Sequence, residues 1–154
     1  MEKPLTIAEI CDLILQVKAA QVRMYQTALA MLPAQKRLWQ MLQTDCESHA
    51  IAYGKARAAA AQNPGRWLAQ AFTVQVPNLL LKEMPQKMDE IRAGKINVRY
   101  AVTFMADCEK SFIDAKLYDA VRTDAMEFTT QLDGVKNESL AHVTKLRELL
   151  PQLP

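Results

Sequence analysis

The sequence predicts an all-α protein, a ferritin-like arrangement of four helices in two related pairs joined by a long crossover. Three observations carry that expectation. Apolar residues recur at helical spacing along four long stretches. Glycine is scarce, at 4 of 154 residues, and β-branched runs are short. The two histidines mark a repeat: Tyr25 precedes His49 by the same interval as Tyr118 precedes His142. At that offset, and with no gap, Trp39 falls on Leu132, Leu42 on Val135 and Tyr53 on Leu146.

The first helix is predicted to start at Thr6-Ile7-Ala8-Glu9, which has the form of a capping box. Ile7, Cys11, Ile14, Leu15, Val22, Tyr25, Leu29 and Leu32 then make one buried stripe, with Lys18 in its middle where an apolar residue belongs. Pro33 stops it. A second helix is expected from about Ala34 to Gln62, with Leu38, Trp39, Leu42, Cys46, His49, Ala50 and Tyr53 facing the core, and Asn63-Pro64-Gly65 ends it. Residues 63–96 form the crossover: an apolar patch from Trp67 to Val76, the run Leu79-Leu80-Leu81, and a short helix begun by Pro85 and capped near Gly94. Such a link is what two parallel bundle helices need, since a short loop would make them antiparallel.

A third helix is predicted from Asn97 through Tyr118, with Ala101, Phe104, Met105, Cys108, Ser111, Phe112 and Ala115 on one face. A short turn at Arg122-Thr123-Asp124 leads to the fourth, with Asp124 as N-cap. Its stripe is Phe128, Leu132, Val135, Ser139, His142, Val143, Leu146 and Leu149. Gly134 costs about 1 kcal/mol relative to alanine and suggests close approach of a neighbour. The chain is thus expected to be one domain, 1–154, with helix pairs at 6–62 and 97–150.

Composition narrows the function classes. Half the residues are apolar, 23% are charged, and the net charge is only +2. The basic residues are scattered among acids, so no nucleic-acid partner is indicated. No apolar stretch approaches the roughly 20 residues that span a membrane. The N-terminus lacks the pattern of a signal peptide, and Cys11, Cys46 and Cys108 are an odd, scattered set, so a cytoplasmic protein with free thiols is expected.

With these patterns in place, the chain resembles the ferritin-like superfamily, and within it the rubrerythrin-type domains. The resemblance rests on Lys18…Tyr25, Cys46-Glu47-Ser48-His49, Ser111…Tyr118 and Ser139-Leu140-Ala141-His142. In that family the first helix of each half gives a glutamate seven residues before an aromatic, and the second a Glu-x-x-His; together they hold two metal ions. Here the four carboxylate positions hold Lys18, Cys46, Ser111 and Ser139. Only His49 and His142 remain, with Tyr25 and Tyr118 as their neighbours. Asp45, Glu47 and Glu138 lie one residue away, roughly 100° around the helix, and Glu109 lies two from Ser111, so none is expected to restore the site.

Two fillings of the centre follow. In one, Lys18 replaces the metal and donates to Ser111, Ser139, His49 or His142, with a lowered pKa; its structural alternative is a stem that packs while the ammonium reaches water. In the other, Cys46, His49 and His142 form a donor set for zinc or another metal, such as iron. The tyrosine hydroxyls are expected to find local partners. No cofactor is otherwise expected. The leading functional expectation is a non-catalytic bundle with a structural or protein-interaction role, as a homodimer through the crossover patch. The alternative is a divergent metal-binding redox or oxidative-stress protein.

Overall fold

The computed structural model describes residues 3–154; residues 1–2, the start of the charged N-terminus, lie outside it. Among the described residues it is all-helical apart from one short two-stranded ribbon. Helix α1 spans Ile7–Met31. Its capping box is formed in full: Thr6 Oγ1 accepts from the Glu9 amide and Glu9 Oε1 from the Thr6 amide, each at 3.1 Å. Pro33 opens a 3₁₀ turn, Pro33–Gln35, which leads directly into α2, Lys36–Gln62. The turn is fastened by Trp39, whose indole N–H donates to the Leu32 carbonyl at 3.0 Å.

The crossover is more helical than the sequence suggests. After strand β1, Trp67–Ala69, helix α3 covers Gln75–Arg92, so Pro85 lies inside it instead of opening it. Pro77 stands in its first turn, where no intrahelical amide bond is needed. Leu80, Met84, Met88 and Ile91 are buried at helical spacing while Pro85 is exposed, so apolar packing of α3 on α1 and α4 holds the helix through the proline. Leu79, at 55% exposed, points outward. Gly94 caps the end as predicted: its φ of 72° permits bonds from the Gly94 and Lys95 amides to the carbonyls of Ile91 and Glu90.

Helix α4, Val98–Asp114, is capped by Asn97, whose side chain accepts from the Tyr100 amide at 2.8 Å. It stops short of Tyr118. Lys116 turns left-handed at φ 67°, and Tyr118 sits on the 3₁₀ turn Leu117–Asp119. The expected turn at residues 122–124 is largely strand β2, Val121–Thr123, antiparallel to β1 with Trp67 opposite Thr123. Asp124 is not an N-cap; it accepts from Arg66 Nε at 2.9 Å, and Ala125 holds the cap position of α5, Met126–Leu149. Trp67 packs edge-on against Phe128 at 5.2 Å, tying the ribbon to α5.

Cross-links between helices give their directions. Asp12 meets Arg57 and Gln21 meets Cys46, so α1 and α2 are antiparallel. Asp45 meets His142 and His49 meets Glu138, which makes α2 and α5 antiparallel. Tyr25 reaches Glu109, and Lys18 reaches Tyr118 just beyond α4, so α1 and α4 oppose each other as well. Helices α2 and α4 therefore run parallel, as the long crossover implied. Among the described residues, no helix is long and apolar enough to cross a membrane. All three cysteines are free and buried.

Candidate functional site

The heptad from Lys18 to Tyr25 keeps both on the inner face of α1, with Gln21 between them. Cys46, His49 and Tyr53 line the inner face of α2 at helical spacing. Helix α5 brings Ser139 and His142. Helix α4 brings Glu109, because its buried face runs through Val102, Met105, Ala106, Cys108, Glu109, Phe112 and Ile113. Ser111 is only half-buried and takes no part in the centre. Lys18, Gln21, Cys46 and Glu109 are 0% exposed, His142 1% and His49 2%, so these groups are shielded from solvent, with His49 alone among them at the wall of a surface cleft.

Glu109 organises the polar contacts. Its Oε1 accepts from the Tyr25 hydroxyl at 2.6 Å and lies 3.2 Å from His142 Nδ1. On its other side His142 Nε2 stands 2.8 Å from Asp45 Oδ2, so one imidazole bridges two carboxylates. Burial opposes charge on that ring, but Glu109 and then Asp45 outweigh it, against Lys18, and raise its pKa. Burial likewise opposes charge on Glu109, yet His142, Lys18 and Tyr25 hold its pKa below the usual carboxylate value.

His49 behaves in the opposite way. Its ring stacks on His142 with centroids 6.0 Å apart, and its Nε2 lies 3.1 Å from the half-exposed Glu138. Burial first, then the positive charges of Lys18 and His142, drive its pKa down to about 2. It is therefore a neutral ring donating from Nε2 to Glu138, with a bare Nδ1 turned away from any protein partner. A cleft of about 410 Å³ lies outside it, lined in part by Ile51, Thr130, Gly134 and Glu138. A Cβ on Gly134 would meet nothing within 4 Å, so this glycine faces open space and not a close neighbour.

Lys18 is fully buried, and its stem does not snorkel. Its ammonium stands 4.6 Å from the Tyr118 ring centroid, a cation–π placement. It does not donate to Ser139, whose hydroxyl instead donates to its own helix at the Val135 carbonyl, 2.8 Å away. The expected fall in its pKa is also reversed. Burial works against the ammonium, but the groups around it, of which Glu109 is the one charged at neutral pH, outweigh burial and raise the value. Burial pushes the Cys46 thiol up to about 12, against the pull of Lys18, so it is a neutral S–H donating to Gln21 Oε1 at 3.7 Å.

Several buried polar atoms here have no protein partner: Lys18 Nζ, Gln21 Nε2, His49 Nδ1, Glu109 Oε2, and the hydroxyls of Tyr53 and Tyr118. Of the three core tyrosines, only Tyr25 finds the local partner expected of it. Three of the four acids that the sequence pattern set aside have come back as partners, Glu109 to His142 and Tyr25, Asp45 to His142 and Glu138 to His49, while Glu47 is exposed. One potential donor set emerges among the described residues. Cys46, Glu109 and His142 each offer an atom within 4.8 Å of the other two. His49, directed at Glu138, is outside that group.

Bridging di-iron chemistry does not fit this donor set. It needs several hard carboxylates to offset the metal charge, whereas the centre holds one fully buried carboxylate and a buried ammonium. The class of molecule so defined is an all-α bundle with an ionic centre shared by both helix pairs. Compared with known proteins, the chain matches no family model, no curated protein and no solved structure.

Proposed function

We propose that this chain is a non-catalytic bundle of the ferritin-like kind, in which the protein's own charges have replaced a di-iron centre and the fold serves a structural or protein-interaction role. The observation that carries this reading is the fully buried Lys18 ammonium, at the position where the resemblance places the first carboxylate of the bundle. A cation built into that spot disfavours a pair of metal cations by direct repulsion. The directions of α1, α2, α4 and α5 (up, down, down, up), with α2 parallel to α4, support the ferritin-like assignment. The closure of the centre supports the absence of catalysis, because a substrate would have to part the helices to reach it.

Iron handling tests this directly. Metal-free protein given iron(II) and then oxygen is expected to leave the oxidation rate at that of buffer. A protein-dependent acceleration would return the chain to the redox class.

Leu68 and Leu79 of the crossover, at 60% and 55% exposed, support the homodimer expected from its apolar patch. Light scattering should give a dimer mass that falls to monomer on Leu68→Glu with Leu79→Glu. A monomer for the parent chain at high concentration removes the dimer.

A further inference from the structure

We propose that Cys46, Glu109 and His142 form a site for one thiophilic divalent cation of the zinc class. This goes beyond the role proposed above: a single redox-inert ion tying α2, α4 and α5 together is a structural or sensing device, not a di-iron catalyst.

Geometry comes first. Zinc bonds to sulfur, nitrogen and oxygen run from about 2.0 to 2.3 Å, so tetrahedral ligands stand roughly 3.4 Å apart. The three donor atoms lie within 4.8 Å of one another, and His142 Nδ1 already stands 3.2 Å from one oxygen of Glu109, Oε1. Small side-chain adjustments close such a triangle. The second observation is independent: Glu109 Oε2 is fully buried and has no partner, although Oε1 of the same group is used twice. An acceptor left bare in a dry interior is costly, and a cation would satisfy it.

The surroundings match those of a metal-bound histidine. Such a ring donates its far N–H to a carboxylate, which fixes tautomer and orientation; here His142 Nε2 faces Asp45 at 2.8 Å and leaves Nδ1 for the centre. Tyr25 orients the carboxylate in the same manner. Gln21 can serve Cys46 in both states. Its amide oxygen accepts from the thiol, and a flip would bring Nε2, which has no partner, to a thiolate.

Lys18 is the evident objection, and charge balance answers it. Without metal, both nitrogens of His142 face carboxylate oxygens and so both donate, which makes that ring and Lys18 two cations that offset Glu109 and Asp45, with Cys46 neutral. On binding, the thiol proton and one imidazolium proton leave for solvent as the S–metal and N–metal bonds form. The divalent ion replaces their two charges, so the buried centre remains neutral overall. Coordination itself takes the proton from a thiol whose own acidity is weak.

Cobalt(II) reads the ligands directly, as a spectroscopic stand-in for zinc. The full chain, reduced and stripped of metal, is expected to take up one equivalent of cobalt, with the intense visible bands of tetrahedral coordination and a near-ultraviolet thiolate-to-cobalt band, both erased by zinc. Cys46→Ser should remove the thiolate band and Glu109→Gln should weaken binding, with helical content checked in each by circular dichroism. Asp45→Asn, a positioning change at a partly exposed residue, should weaken affinity about 10–100-fold while leaving the band shape intact. His49→Gln should keep the thiolate band. No uptake by the parent chain, or a spectrum unchanged by Cys46→Ser, overturns the site; the iron-oxidation result stands or falls separately.

Discussion

Glu109→Ala is expected to destabilise the protein by about 3–5 kcal/mol, the range for removing one partner of a buried ion network. The substitution leaves the charges of Lys18 and His142 in a dry core without their common counter-charge, and it strips the Tyr25 hydroxyl of its acceptor. Urea denaturation of the parent and the variant measures the effect. A loss below about 1 kcal/mol, the level of an ordinary point substitution, would mean that Glu109 does not compensate those charges. Ser111→Ala provides the contrast. Half-buried and outside the network, Ser111 should change stability by no more than about 0.5 kcal/mol.

The second large effect is on pH dependence. Neutral His49 has a folded pKa near 2, far below the about 6.5 of an unfolded chain. The unfolded state therefore binds the proton more readily, and stability drains away as pH falls below the unfolded value. Between pH 7 and pH 5 the loss from this residue is on the order of 1–2 kcal/mol, the lower end reflecting support that Glu138 can give a protonated ring. His142 has the opposite sign. Its raised pKa contributes stability that is complete below the unfolded value and is lost as pH rises through the folded one. His49→Gln keeps a donor for Glu138 but cannot titrate. The metal-free variant should hold its stability on acidification from pH 7 to pH 5, and gain slightly from His142, while the parent loses it. Parallel pH profiles for the two proteins would contradict the assignment of opposite charge states to the two stacked rings.

The helices were legible because the sequence signals agree with one another at most ends. Thr6 and Glu9 supply both halves of a cap, Asn97 supplies another, and Gly94 takes the positive φ that its position demands. The crossover was harder to read. Pro85 looks like a helix start, and only the burial of Leu80, Met84, Met88 and Ile91 on neighbouring helices keeps α3 running through it. The two strands were invisible, since three-residue pairings such as Trp67 with Thr123 are set by tertiary approach.

At the centre, the repeat correctly brought Lys18, Tyr25, Cys46, His49, Ser139, His142 and Tyr118 into the buried interior. On α4 it was right for Ala101, Met105, Cys108 and Phe112, which are buried, but it put Ser111 at the centre, whereas the helix ends at Asp114 and its buried face extends to Glu109 while Ser111 is only half-buried. Val102, Ala106, Glu109 and Ile113 are an equally regular stripe in the sequence, and the acid within it was the signal to follow. Asp45 and Glu138 were missed for another reason. They sit at the edge of the core, and their carboxylates meet histidines on a facing helix, a contact no single-helix wheel can show.

Lys18 and Glu109 lie on opposing helices in the middle of the bundle, without a direct ion pair, and each favours the other's charge across the buried interior. A double-mutant cycle on Lys18→Met and Glu109→Gln, read by denaturation of the metal-free protein, tests it most directly. Lys18→Met is expected to rescue Glu109→Gln, so that the double variant is more stable than Glu109→Gln alone, because the uncompensated ammonium is gone. Simple addition of two destabilising effects, with no coupling between them, would contradict it.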